Sequence, residues 1–141
     1  MTLQIKLNML KTKSFLAQIN ESDGIRISVV GKHEWKPGVM SYTSLTQITP
    51  GMYNEWGKVF APPLKLVGDL YIREICDHDQ FRERYLDYLK TIDAEVQALA
   101  ERGLSERITI LCLEESPEFC HRKILAERCK EYQPSLDLII E

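Results

Sequence analysis

The stretch that most constrains this chain is Ile108-Thr109-Ile110-Leu111-Cys112-Leu113, six residues with a single hydroxyl among apolar side chains. A short run of this kind suits a strand covered on both faces, and such strands belong to parallel sheets with helices packed over them. On its amino-terminal side, residues 77–102 carry Phe81, Tyr85, Leu89, Ile92, Val96 and Leu99 three or four apart, the spacing of one helical face. Asp77 with Gln80 fits a capping-box start, and Gly103 supplies a left-handed stop. On its carboxyl side, Ser116-Pro117 reads as an N-cap with proline in the first turn of a last helix. That helix runs to about Tyr132, and residues 136–140 close the chain as a strand. Strand, long helix, buried strand, helix, strand is the rhythm of an α/β fold. The expectation is a mostly parallel sheet with flanking crossover helices, one three-layer domain over residues 1–141.

The amino-terminal half is less regular. Leu3, Ile5 and Leu7 alternate with polar residues, as in a half-buried strand, whereas residues 11–18 leave helix and strand open. Glu21-Ser22-Asp23-Gly24 is a turn, and residues 25–30 follow as a second strand. From Gly31 to Gly68, three proline-containing pairs (Pro37-Gly38, Pro50-Gly51, Pro62-Pro63) break the chain into short pieces. A short helix is expected over residues 52–60.

Charge and composition narrow the function classes. Lys and Arg number 18 against 21 Asp and Glu, a formal charge of -3, so the basic excess usual in nucleic-acid binders is missing and nucleic acid stays open as a partner. No stretch approaches the roughly 20 apolar residues of a membrane span, and the first residues lack the pattern of a signal peptide. The expectation is a cytoplasmic protein without a membrane partner, in which Cys76, Cys112, Cys120 and Cys129 are thiols.

In parallel α/β sheets ligands collect at the carboxyl ends of strands, where loops lead into helix N-termini. Cys120-His121-Arg122 stands at such a junction. A thiol there is pushed toward thiolate, an imidazole can move a proton, and a guanidinium offers a planar fork to an anion. Glu114 can orient His121 or Arg122 across the loop. Lys32 and Trp35, past the second strand, can open on the same edge and supply an anion contact and a stacking surface. Each has a plain structural counterpart: a core thiol, a solvated cation, a core tryptophan. Cys112 and Cys129 read as core residues. Cys76-Asp77-His78 and Cys120-His121 lack the paired spacing of zinc signatures, no Cys-x-x-Cys occurs, and no glycine-rich phosphate loop is present, so neither metal nor cofactor is expected.

Leu111-Cys112-Leu113-Glu114 followed by Cys120-His121-Arg122 resembles the signature of the domain-of-unknown-function 488 family, in which an apolar strand ends in a glutamate step and Cys-His-Arg opens a helix. Asp23-Gly24-Ile25-Arg26-Ile27, Trp35-Lys36-Pro37-Gly38, Phe60-Ala61-Pro62-Pro63 and the helix start from Phe81 to Tyr85 are similar to the family's smaller members. The resemblance covers about residues 23–132. It implies the α/β fold and the position of the site, and it implies no activity. Members often carry Asp-x-Arg near where this chain has Val30-Gly31-Lys32; Lys32 keeps the positive charge, but Val30 cannot act as the base or metal ligand that the aspartate could be.

Three functions are weighed. The first is an anion-binding enzyme for a small phosphate-bearing or nucleotide-like ligand, with Cys120 as nucleophile, His121 as acid/base group, Glu114 orienting and Arg122 with Lys32 as clamp. The second is a module binding a nucleotide or nucleic-acid end without turnover. The third is a packed helix start whose polar atoms satisfy the loop. Oligomeric state is left unassigned.

Overall fold

In a computed structural model, which describes residues 8–36 and 45–141, the apolar run becomes the middle strand of the sheet. In chain order the strands are β1 (Met9–Ser14), β2 (Ile25–Ser28), β3 (Glu55–Trp56), β4 (Arg107–Cys112) and β5 (Leu138–Ile140). The helices are α1 (Leu64–Tyr71), α2 (His78–Thr91), α3 (Asp93–Ser105) and α4 (His121–Tyr132). The order across the sheet is β3-β2-β4-β1-β5 and every pairing is parallel. β4 lies between β1, with Met9 opposite Arg107, and β2, with Ile25 opposite Ile108. Ile108, Ile110 and Leu111 are fully buried, as a strand covered on both sides requires.

The two faces are covered differently. Connections stepping one way along the sheet, β3 to β4 and β4 to β5, carry the helices. α3 packs on α4, and the Cβ that Gly103 of α3 lacks would lie 3.5 Å from Leu10 of β1. Connections stepping the other way, β1 to β2 and β2 to β3, cross the opposite face as loops and 3-10 turns. Asp23 from the first is gripped there by Lys11 and Lys13 of β1 and Arg26 of β2, at 2.8, 3.0 and 2.5 Å. From the second, the Met52 carbonyl accepts from Arg26 Nε and His33 bonds to Ser28. Crossovers of a single hand produce this division. The expected α/β layering is therefore present, with a third layer built of loop instead of helix.

Several local expectations are corrected. The alternating residues 3–7 lie outside the described residues, as do Pro37-Gly38. The first described strand is Met9–Ser14, inside the segment left open. All six of its residues are buried, its lysines by pairing with Asp23, which hides a central strand behind a polar sequence. Residues 52–60 do not form a helix. They hold part of a 3-10 turn (Pro50–Met52), β3, and a second turn (Lys58–Phe60), because Gly57 N–H bonds to the Ser28 carbonyl and ties the segment to β2 as an edge strand. α1 was not anticipated.

The long helix is two, broken at Ile92 (φ -120°, ψ 34°), which caps both. The Asp77–Gln80 capping box starts α2. Gly103 does not stop a helix: it sits inside α3, where a Cβ would lie 2.7 Å from Leu136 Cδ1, so its small size is used for close packing. Among the described residues Gly24 is the glycine whose conformation matters, at φ +66° with no room for a side chain beside Arg107. Ser116-Pro117 stays in the loop, and α4 begins at His121 with Cys120 at the N-cap. Among the described residues no helix is long and apolar enough to cross a membrane.

Candidate functional site

Parallel pairing brings the carboxyl ends of β2 and β4 to one edge of the sheet. Val29 and Val30 leave β2 there, Cys112 ends β4, and α4 returns so that His121 lies against both. A small pocket opens beside them. Its walls are apolar, built from Val30, Pro62, Leu64, Val67, Phe81 and Leu113, and its polar groups are Cys112, His121, Glu114 and Tyr71, with the exposed Lys32 at the rim.

The centre of the site is His121. It is nearly buried, its ring stands edge-on to Tyr85 at 5.5 Å, and Nε2 lies 2.8 Å from the Val29 carbonyl. A carbonyl can only accept, so Nε2 carries the proton and Nδ1 the lone pair. Nδ1 is then the nitrogen left for the two neighbouring thiols, Cys112 and Cys120. Burial works to lower the basicity of His121, but hydrogen bonding to Cys120, the Val29 carbonyl and the charge of Glu114 outweigh it and raise its pKa. Burial and the adjacent Cys112 push the Cys120 thiol well above the usual cysteine range, against the pull of His121.

The donor atoms of Cys112, Cys120 and His121 lie within 4.8 Å of one another and all three residues are buried. Cys112 Sγ is 3.6 Å from Nδ1 and 3.7 Å from Nε2, almost equidistant, which places it off the lone-pair axis of either nitrogen. A metal shared by all three would require the imidazole to turn and the Val29 bond to be disturbed. The arrangement as it stands is that of a base between thiols. His78 is not part of it; its ring stacks on Phe119 at 4.4 Å.

The remaining candidate residues fall in different places. Glu114 lines the pocket and accepts a hydrogen bond from the Tyr71 hydroxyl. Arg122 is fully buried and turned away from the pocket: its guanidinium donates to the main-chain oxygens of Glu114 (2.6 Å), Glu115 (3.2 Å) and Glu141 (3.3 Å). The loop after β4 wraps around it, and this is why α4 starts later than Ser116-Pro117 suggests. Its place is that of a loop anchor, in correction of the anion clamp. Cys120 is fully buried and does not line the pocket, whereas Cys112 does. The pocket-facing thiol is thus Cys112, which is buried in the core as the sequence predicts and also reaches the pocket. Strand position alone could not separate them, because both flank the same junction.

Trp35 is half-buried, its indole N–H bonded to the Leu45 carbonyl at 2.8 Å, and it is not among the pocket walls. The exposed indole at this edge is Trp56, stacked on His33 at 3.7 Å and anchored by its N–H to the Val30 carbonyl at 2.7 Å. With Lys32, Tyr53 and Lys58 it forms a groove that shares Gly31 and Lys32 with the pocket.

No curated protein and no solved structure matches this chain significantly. A family model does, described as DUF488-N3a, the active DUF488-N3 subclade, over residues 10–133, a span that runs from β1 through α4 and includes every residue of the site. By that match the chain belongs to the domain-of-unknown-function 488 family.

Proposed function

We propose that this protein is an enzyme working through a thiol and an imidazole at the floor of the pocket, with Cys112 as nucleophile and His121 as its base. The observation that carries the reading is the Val29 carbonyl on Nε2, which leaves Nδ1 as the basic nitrogen, with Cys112 Sγ 3.6 Å from it. A nucleophile, a base beside it and a third group orienting the base is the recurring arrangement of nucleophilic catalysis. Glu114 stabilises the imidazolium that forms when the proton moves. The apolar walls favour a small substrate with an apolar body and an electrophilic centre, and Lys32 at the rim suits one anionic substituent.

Site-resolved alkylation with iodoacetamide tests this. In the native protein Cys112 reacts first, Cys120 and Cys129 react only on unfolding, and His121→Asn slows Cys112 by about tenfold or more at neutral pH. A Cys112 that is inert in the native protein, or indifferent to His121→Asn, refutes the reading.

A second reading, ligand binding without turnover, draws on the groove around Trp56. A half-exposed indole backed by His33, with the Lys58 ammonium over its ring at 5.3 Å and Lys32 in the same groove, suits a flat base that displaces Lys58 from the ring and takes its charge on a phosphate. Titration with a nucleoside monophosphate then quenches Trp56 fluorescence, and Lys32→Ala weakens binding while Cys112→Ser leaves it intact. Quenching that fails in the parent protein removes this reading.

A further inference from the structure

Two thiols share one base at this site, and single-nucleophile chemistry uses one of them. Cys112 and Cys120 come from the end of β4 and the N-cap of α4. Their sulfurs lie within 4.8 Å of each other and within the same distance of a ring nitrogen of His121. One thiol faces the pocket and the other is sealed behind it. In such an arrangement the outer sulfur meets a substrate and the inner one meets only the outer.

We infer that Cys112 and Cys120 form a redox pair that reduces a small apolar organic hydroperoxide, with Cys112 as the attacking sulfur and Cys120 as the resolving one. The inference rests on the preceding assignment of Cys112 and adds the substrate class and the role of the second thiol. In the first step the Cys112 thiolate attacks the terminal oxygen of the hydroperoxide and the O–O bond breaks. The alkoxide takes the proton held on His121 and leaves as an alcohol, and Cys112 becomes a sulfenic acid. In the second, Cys120 gives its proton to His121 and its sulfur attacks that of Cys112. The S–O bond breaks, and the hydroxide leaves as water with that proton. The protein now holds a Cys112–Cys120 disulfide and the hydroperoxide has been reduced by two electrons. An external dithiol returns the two electrons and two protons by exchange.

The substrate class follows from the walls. Val30, Leu64, Val67 and Leu113 reward an apolar body, which hydrogen peroxide lacks, and Glu114 opposes a strongly anionic disulfide such as one carrying several carboxylates. An organic hydroperoxide presents an apolar body to those walls and a single polar O–O group to the sulfur.

The sequence makes the test clean. No Lys or Arg lies between Ile108 and Arg122, so trypsin leaves both cysteines on one peptide, residues 108–122. The reduced native protein is treated with stoichiometric cumene hydroperoxide, quenched in acid and digested. The expected product is that peptide two hydrogens lighter and resistant to alkylation, with Cys76 and Cys129 still free. In Cys120→Ser, checked for native circular dichroism, the disulfide is lost and dimedone traps a sulfenic acid on Cys112. Hydrogen peroxide at the same concentration oxidises the native protein about tenfold more slowly.

A Cys112 that alkylates readily but forms no disulfide with Cys120 overturns this inference and leaves the nucleophile assignment standing. A Cys112 that neither alkylates nor oxidises overturns both. Equal rates with the two peroxides overturn the substrate class.

Discussion

Replacing Arg122 with Met asks what a fully buried cation held by main-chain oxygens does here. The guanidinium holds three main-chain oxygens at 2.6, 3.2 and 3.3 Å. Deleting a hydrogen bond from a charged donor costs about 1.5–3 kcal/mol; with the two longer bonds at the low end, the gross loss is about 5–6 kcal/mol. Against this stands the desolvation of the guanidinium, several kcal/mol, which methionine avoids while filling much of the same volume. Among the described residues the Nε of Arg122 has no hydrogen-bond partner, so part of that penalty is uncompensated in the parent protein. The net expectation is a loss of about 2–3 kcal/mol, which for a chain of this size lowers Tm by about 6–12 °C. Urea unfolding followed by far-ultraviolet circular dichroism measures it. Hydrogen exchange should place the change in residues 113–120, whose amides lose protection before the sheet does. Arg122→Lys should recover little, because one ammonium cannot reach three separated carbonyls. A methionine variant as stable as the parent, with an unchanged loop, refutes the anchor and returns Arg122 to the pool of ligand contacts.

Other expectations follow from the fold. The Asp23 carboxyl is held down to about 2: burial alone would raise it, but bonds from Lys11, the Asn20 segment and Lys13 prevail. Its folded pKa lies below the unfolded value, so its contribution of about 2 kcal/mol is present above pH 4 and lost as pH falls toward 2. Asp23→Asn should flatten that part of an acid-denaturation curve and leave three buried cations facing an amide. Gly103→Ala gains helix propensity yet should destabilise by about 1 kcal/mol, since the new methyl meets Leu136; a more stable variant in urea would show that Leu136 yields freely. Burial, then Lys58, lowers the His33 pKa below 6.5. Trp56 emission, quenched when the stacked imidazole protonates, should therefore titrate with a midpoint under 6.5 and rise toward 6.5 in Lys58→Ala.

The sequence was most readable where side chains obey one period and one environment. The run at β4, the capping box at Asp77 and the apolar face from Phe81 to Leu99 each report their own structure. What it concealed depends on distant partners. β1 looks polar because Lys11 and Lys13 are neutralised by Asp23 from the next connection. The break at Ile92 leaves the apolar spacing nearly intact, so periodicity passes over it. Within the site, position in the chain located the junction and the family, but not which thiol faces the pocket. Cys112 and Cys120 flank one loop, and its course around Arg122 is what sequence position does not carry. Trp56 carries no sequence sign of its place at this edge, because the edge strand that holds it is two residues long and leaves no pattern.

The position of β4 has a consequence for how this molecule comes into being. β1 and β2 are made early and never touch as neighbours; each is completed by the strand that slides between them, Met9 by Arg107 and Ile25 by Ile108. Until β4 has been made, β1 has neither of its partners and β2 has only the two-residue β3 beside it, and the walls of the pocket have no floor. Assembly is therefore closer to closing a zip from the middle than to laying bricks in order. Contacts this distant in sequence make folding slow relative to helical proteins. A chain stopped before Cys112 should contain no half-domain at all, only an unfinished one.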